Sequence, residues 1–132
     1  MNYNVLFLFA ELPVPIIYMA VAASIWKNPP KWQENFGYRT KRALKSESVW
    51  NYAQVTYGKI SALCFSVFTA FTLILVITAI TVNFDDITAF AVFIAHTVLL
   101  VILLFVTVII VENKLKKHFD EDGNLRENGL NN

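Results

Sequence analysis

Glu11 and His96 are two ionisable residues that lie inside long apolar stretches of this sequence. Ionisable side chains are costly in such surroundings, and within a membrane they mark functional sites by default. A carboxylate next to an imidazole can hold a proton, pass it on or bind an ion. Three threonines of the central apolar stretch, Thr69, Thr72 and Thr78, would add hydroxyls near the same level. The pattern predicts an intramembrane polar site that includes Glu11, Thr72 and His96.

Pro13 and Pro15 follow Glu11 and belong to the same predicted site. Because proline lacks an amide N–H, both residues free backbone carbonyls, and interrupted helices often line the binding sites of transporters. A structural alternative stays open, in which Glu11 and His96 form one hydrogen bond that fixes helix packing. Transport by so few spans would require an oligomer.

The distribution of charge indicates the elements that must position these residues. Of the 132 residues, 56 % are hydrophobic and 16 % are charged, against about a quarter charged in soluble domains. Residues 60–84 and 87–111 contain no Asp, Glu, Lys or Arg, and each run exceeds the roughly 20 apolar residues that cross the hydrocarbon core. Because lipid offers no hydrogen bonds to the backbone, both runs must be helical.

The apolar stretch at the start of the sequence is also predicted to span the membrane, as the first of three spans along the chain, rather than to be a cleaved signal peptide. Residues 1–10 contain no Lys or Arg, and an acidic residue and two prolines interrupt the apolar run. We therefore predict an all-α integral membrane protein with three transmembrane helices, at about residues 4–26, 58–83 and 87–112. If the first span begins near Tyr3 and the third near Ile87, Glu11 and His96 both lie roughly 12–14 Å below the outer surface.

The cations predict the orientation of the spans. Seven of the eleven Lys and Arg residues lie within residues 27–59, in the loop between the first two spans and at the start of the second, and four follow the third, whereas the N-terminal leader and the Asn83–Asp86 turn have none. The positive-inside rule then places the N-terminus outside and the C-terminus in the cytoplasm. We predict a membrane domain over residues 1–118 with a cytoplasmic loop at 27–57, and a polar tail at 119–132 that forms a turn followed by disorder.

The cytoplasmic loop is predicted to end in an amphipathic helix that leads into the second span. Ser46 is a candidate N-cap with Glu47 in the first turn, and apolar residues recur at helical spacing over 47–59. The cationic side chains of the loop are expected to attract anionic lipid, and the aromatic residues to form a belt at the headgroup level. The single cysteine, Cys64, is interpreted as a small buried hydrophobic residue.

The sequence offers little for catalysis. It has no hydrolase triad, no phosphate-binding glycine loop and no metal-ligand spacing, so we predict no enzyme activity, no cofactor and no metal. The acidic run after Asp120 has its glycine at the wrong offset for a calcium loop. A net charge of +1 argues against nucleic acid as a partner.

The segment 35–54 resembles the signature of the SdpI-type (SdpI/YfhL-like) immunity family. Asn35-Phe36-Gly37-Tyr38-Arg39-Thr40 is similar to the family's Asn-x-x-Gly-aromatic/aliphatic-Arg-Thr loop element, with one residue rather than two between Asn35 and Gly37. Ser46-Glu47-Ser48-Val49-Trp50 with Ala53-Gln54 is similar to the step that opens the family's next helix. The positions that the resemblance marks are Asn35, Gly37, Tyr38, Arg39, Thr40, Ser46, Glu47 and Trp50.

The resemblance implies a small bacterial inner-membrane protein that gives resistance to a membrane-active peptide toxin, by binding it or by shielding its target. It implies that the loop folds against the inner end of the bundle, with Arg39 on helix C-terminal carbonyls or on a carboxylate such as Glu47, and Trp50 as an interface anchor. The expected partners are anionic lipids and a peptide toxin or another membrane protein. The alternatives are an accessory subunit of a larger membrane complex and a small oligomeric transport or ion-coupled protein that uses Glu11 and His96.

Overall fold

Three helices make up the fold in the computed structural model, which describes Leu6 and residues 9–126. They are α1 (Pro13–Lys27), α2 (Glu47–Val82) and α3 (Asp86–His118), and the described residues contain no strand, only a single bridge between Phe119 and Leu125. All three are long and apolar enough to cross a membrane, the first when the turn from Phe9 is included. The prediction of an all-α protein with three transmembrane helices is confirmed. The predicted start of the first span near residue 4 and the tail beyond residue 126 lie outside the described residues.

Proline sets both ends of α1. Residues 9–11 are helical, but the chain bends at Leu12 before the helix proper begins at Pro13. At this bend the Leu12 amide donates to the carbonyl of Phe9, at 3.2 Å. The helix ends at Lys27, where Asn28 precedes two prolines and its amide donates to the Ser24 carbonyl at 2.8 Å.

The predicted lead-in helix and the second span form one unbroken helix, α2. Ser46 is its N-cap, since its hydroxyl oxygen accepts a hydrogen bond from the Val49 amide at 3.3 Å. The helix passes through Gly58 without a break and ends at Asn83, which adopts the left-handed conformation with φ of 57°. After this short turn α3 runs back to His118. It ends later than the predicted end near residue 112, because the polar residues that follow the apolar run are also helical.

Gly58 lets α1 and α2 approach at their backbones. A Cβ at this position would lie 2.6 Å from the Trp26 nitrogen and 2.8 Å from the Ala22 carbonyl oxygen. Small residues commonly allow this close packing between membrane helices, where dispersion contacts rather than the hydrophobic effect hold helices together.

Buried apolar side chains form three groups along the bundle: an inner, a middle and an outer one. The inner group joins the loop, α2, α3 and the start of the tail, and includes Tyr38, Val49, Val111 and Phe119. The middle group centres on Phe65, Phe68 and Leu100, and the outer group on Val76 and Ala79. The loop is therefore part of the packed structure rather than a connection lying over it.

The start of the tail also packs on the loop. Phe119 pairs with Leu125 across a turn, and the buried Gly123 lies against the side chains of Lys45 and Ser46. The Ser46 hydroxyl donates to the Gly123 carbonyl at 3.0 Å. One residue thus caps α2 and holds the tail.

Candidate functional site

Gly37 lies where residues 35–40, which we call the motif loop, pack against Gln54 of α2. Its φ is +106°, a conformation that side-chain-bearing residues rarely adopt. A Cβ there would lie 2.4 Å from Gln54 Oε1 and 2.8 Å from Pro30 Cγ. Both the backbone angle and the available space therefore require glycine.

Gln54 binds the backbone of the residue that follows this glycine. Its Oε1 accepts from the Tyr38 amide and its Nε2 donates to the Tyr38 carbonyl, both at 2.7 Å. The Gln54 side chain is fully buried, so its two hydrogen bonds satisfy both its own amide and a backbone segment that is cut off from water. Sequence reasoning noted Gln54 within the family-like stretch but did not place it among the site residues.

Glu112 is the point at which the loop meets α3. Its Oε1 accepts from the Tyr38 hydroxyl at 2.8 Å and from the Thr40 hydroxyl at 2.5 Å, and its Oε2 lies 3.8 Å from Arg42 Nε. Burial, followed by the hydrogen bond to the Glu112 carboxylate, raises the pKa of the Tyr38 hydroxyl above its ordinary value. We call these residues, Tyr38, Thr40, Arg42, Gln54 and Glu112, the inner latch.

Sequence reasoning missed Glu112. The signal for it is its position directly after the apolar run that ends at Val111, where a carboxylate first becomes available to cationic and hydroxyl groups of the loop. Several donors converge on it because a carboxylate offers about four lone-pair sites.

The structure corrects two roles that the resemblance implied. Trp50 is fully buried and its Nε1 donates to the Pro30 carbonyl at 2.8 Å, so it packs inside the bundle rather than anchoring at the lipid interface. Arg39 is exposed and its Nη1 donates to the Glu34 carbonyl and to Asn35 Oδ1, so it bonds within its own loop rather than to a helix end or to Glu47. Glu47 is exposed in the first turn of α2.

The second group of polar residues lies in the middle of the spans. His96 Nδ1 is 3.1 Å from Glu11 Oε2, and His96 Nε2 is 2.8 Å from the Thr72 hydroxyl. The Thr97 hydroxyl donates to Glu11 Oε1 at 2.7 Å. Glu11 and His96 are 7 % and 3 % exposed. We call Glu11, Thr72, His96 and Thr97 the intramembrane cluster.

The structure thus brings Glu11, Thr72 and His96 together, and it adds Thr97, which sequence reasoning missed although it neighbours His96. The other two threonines do not join them: the Thr69 and Thr78 hydroxyls donate to the carbonyls of Phe65 and Ile74 in their own helix. Pro13 and Pro15 lie next to the cluster, at and after the bend of the first span. That these residues form a functional site stays a prediction.

The geometry of the cluster allows two directions for the hydrogen bond between the Thr72 hydroxyl and His96 Nε2. If Thr72 donates to His96 Nε2, the imidazole carries its proton on Nδ1 and donates to a Glu11 carboxylate. If Thr72 instead donates to the Phe68 carbonyl, 2.9 Å away, His96 Nε2 donates to Thr72, and Nδ1 either accepts from a protonated Glu11 or carries a second proton. The cluster can therefore hold a proton shared between a carboxyl and an imidazole in apolar surroundings.

Aromatic and aliphatic side chains surround His96. The Phe68 ring centroid lies 4.8 Å from that of the imidazole and the Phe71 centroid 6.2 Å. A cavity of about 160 Å³ touches the imidazole and is otherwise lined by Phe71, Leu75, Val92, Ala95 and Leu99. These rings and cavity-lining side chains are all apolar.

A comparison with protein families identifies a family for the larger part of the chain. The model of the SdpI/YfhL protein family matches residues 31–111. This range covers the motif loop, all of α2 and most of α3, whereas Glu11 and Glu112 fall outside it. Neither a search of curated proteins nor a search of solved structures gives a match.

Proposed function

The chain belongs to the SdpI/YfhL protein family, and from this membership we propose that it confers resistance to a membrane-active peptide toxin, by binding the toxin or by shielding its target. The observation that carries the proposal is the family match over residues 31–111. The inner latch supports it, because the motif residues of this range hold the loop against two spans through Gln54 and Glu112.

The proposed location is the inner membrane of a bacterium, with the N-terminus outside and the C-terminus in the cytoplasm. The three spans and the clustering of Lys and Arg at the loop and after α3 support this orientation. A Cys64→Ser background allows a direct test with a membrane-impermeant maleimide on intact cells. A cysteine introduced by Asp85→Cys should react, whereas one introduced by Glu121→Cys should react only after lysis; the reverse pattern would invert the proposed orientation.

The outer turn between α2 and α3 is the proposed contact surface for a toxin. Val82 and Ile87 are 65 % and 80 % exposed, and Asp85 is exposed between them. An apolar surface next to carboxylates suits an amphipathic cationic peptide. The apolar face of the peptide would contact the apolar side chains, and its cationic face would contact the carboxylates. The proposed mechanism therefore places recognition outside and uses the inner latch to hold the helices in position.

The experiment compares survival of a toxin-sensitive bacterium that carries the wild type, an empty vector or a variant, at matched membrane expression. We expect protection by the wild type, loss of protection in Asp85→Asn with Ile87→Ser, and retained protection in the control Lys117→Gln at the other end of α3. Loss in Glu11→Gln with an intact outer turn would instead locate the function in the intramembrane cluster. Failure of the wild type against a panel of membrane-active peptides would overturn the proposal.

A second candidate function is proton or ion coupling through the intramembrane cluster. The observation that favours this function is the contact between Glu11 Oε2 and His96 Nδ1 at 3.1 Å, in which both residues are buried. Buried carboxyl and imidazole groups form proton relays in membrane proteins. Proton flux into liposomes that contain the protein would test it. We expect flux to disappear in Glu11→Gln and to persist in Glu34→Gln, which changes an exposed carboxylate of the loop.

A further inference from the structure

A cavity of about 410 Å³ lies at the inner end of the bundle, beside the inner latch. Three parts of the chain line it: the loop supplies Lys41, Arg42 and Lys45, α3 supplies Glu112 and Lys116, and the tail supplies Glu121. Its volume falls within the about 300–1,000 Å³ of ordinary ligand pockets. We propose that this basic pocket binds a phosphate-bearing anion, which comes either from an anionic phospholipid headgroup or from a soluble phosphate compound.

The charges around the pocket favour an anion. Four cationic side chains face two carboxylates, which leaves a net charge of +2. Glu112 is already occupied, because it accepts from Tyr38 and Thr40 and lies 3.8 Å from Arg42. Within the described residues no carboxylate comes within ion-pair distance of the ammonium groups of Lys41, Lys45 or Lys116. Three lysines thus share one cavity with a single remaining carboxylate, Glu121, and without an ion pair to a described residue, so an anion would relieve their repulsion.

The position of the pocket along the bundle favours phosphate. Glu112 and Lys116 lie on the part of α3 that follows the apolar run ending at Val111, the level at which a spanning helix reaches the lipid headgroups. Basic pockets at the cytoplasmic ends of membrane helices bind phosphate-bearing headgroups in this way. A soluble phosphate compound can enter the same cavity from the cytoplasmic side.

The proposed binding site includes only some of the cationic side chains of the loop, whereas the sequence-based expectation is that all of them attract anionic lipid. Arg39 does not line the pocket and bonds to its own loop instead. Lys116 lines the pocket although it lies far from the loop in sequence. The fold thus brings some cationic side chains to the pocket and leaves others out, which distinguishes a binding pocket from a generally basic surface. The proposed binding of phosphate does not depend on resistance to a toxin.

The test uses the full-length protein purified in detergent and two probes. Native mass spectrometry measures retention of phosphatidylglycerol against phosphatidylcholine, and thermal unfolding measures stabilisation by inorganic phosphate. The pocket variants are Lys45→Gln and Lys116→Gln. The matched controls are Lys114→Gln and Lys117→Gln, which remove the same charge from the same end of α3 outside the pocket.

We expect the apparent affinity for the anion to fall about fivefold for each pocket lysine removed, the equivalent of about 1 kcal/mol per charge, and to change little in the controls. Selective retention of phosphatidylglycerol, lost in the pocket variants, would identify a lipid headgroup. Stabilisation by inorganic phosphate without preference between the lipids would identify a soluble ligand. Equal losses in pocket and control variants, or no response to either probe, would overturn the proposal.

Discussion

The inner latch and the intramembrane cluster both connect helices through polar groups. The latch uses backbone atoms as well as side chains, whereas the cluster uses side chains. In the latch, Gln54 binds the backbone of Tyr38. The Glu112 carboxylate, which is partly exposed, accepts hydrogen bonds from two hydroxyls and lies near one cation. In the cluster, the contacts between helices run between the side chains of Glu11, Thr72, His96 and Thr97, and the cluster is almost sealed.

This difference separates two tasks. The Gln54 side chain and the Tyr38 backbone have no titratable group, so this contact of the latch does not change its charge with pH. A carboxyl and an imidazole that share a proton have several charge states, and each costs a different amount in an apolar interior. The latch is therefore the better scaffold, and the cluster is the better candidate for chemistry.

Removal of the backbone contact should have the largest effect on stability. In Gln54→Leu the buried amide and carbonyl of Tyr38 lose their partners, and each unsatisfied group costs about 1–3 kcal/mol. We expect a loss of about 2–5 kcal/mol in the free energy of unfolding, measured by denaturant titration in detergent. Asn51→Leu changes an exposed polar residue of the same helix and should have little effect. A Gln54→Leu protein as stable as the wild type would show that the latch does not fix the loop.

Removal of a donor to Glu112 should have a smaller effect. Thr40→Val keeps the shape of the side chain and deletes two hydrogen bonds: the one to the Glu112 carboxylate, a kind that contributes about 1.5–3 kcal/mol, and the one accepted from the Ala43 amide, a kind that contributes about 0.5–1.5 kcal/mol. Because Glu112 keeps Tyr38 and Arg42 and is partly exposed, we expect a loss near the lower limit of the sum, about 2 kcal/mol, in the same titration. Thr56→Val is a suitable control, as Thr56 lies half-buried on α2 away from Glu112. A loss equal to that of Gln54→Leu would make Glu112, not Gln54, the main support of the loop.

The coupling between Glu11 and His96 should be smaller again. Hydrogen bonds between membrane helices average about 0.6 kcal/mol in double-mutant cycles, with a maximum of about 1.7 kcal/mol. We expect a coupling energy within this range from Glu11→Gln, His96→Asn and the double variant. A coupling above about 3 kcal/mol would indicate a fully charged pair and would make the cluster a structural element stronger than the latch.

Much of the fold could be predicted from sequence because charge-free runs of sufficient length have one stable form in lipid. Depth along a helix also follows from residue number, which predicts Glu11 and His96 at one level, and the structure shows them in contact. The rotation of a helix about its axis does not follow from residue number, since it depends on packing with its neighbours. Thr72 and Thr69 lie on the same helix within one turn, yet only Thr72 reaches His96.

The inner latch was harder to predict for a similar reason. Its partners are distant in sequence, with Tyr38 and Thr40 bound to Glu112, and neither composition nor periodicity selects one carboxylate as the acceptor. Trp50 shows the same limit: a tryptophan near a membrane boundary suits the interface or the core equally well. Its burial follows from the fold of residues 28–46, which brings the Pro30 carbonyl within reach of its indole.

The smallest expected effect concerns the turn that holds the tail beside the latch. Hydrogen bonds from the backbone amides of Asn124 and Asp122 lower the pKa of the Asp120 carboxyl below its ordinary value. A lowered pKa means that the stabilisation is complete above the unfolded-state pKa, about 3.9, and is lost as the pH falls below it. We expect the thermal midpoint of the wild type to fall slightly more between pH 5 and pH 3 than that of Asp120→Asn. Asp122→Asn, two residues away, should keep the wild-type dependence. Identical pH profiles in all three proteins would show that the hydrogen bonds of the Asp120 carboxylate do not contribute to stability.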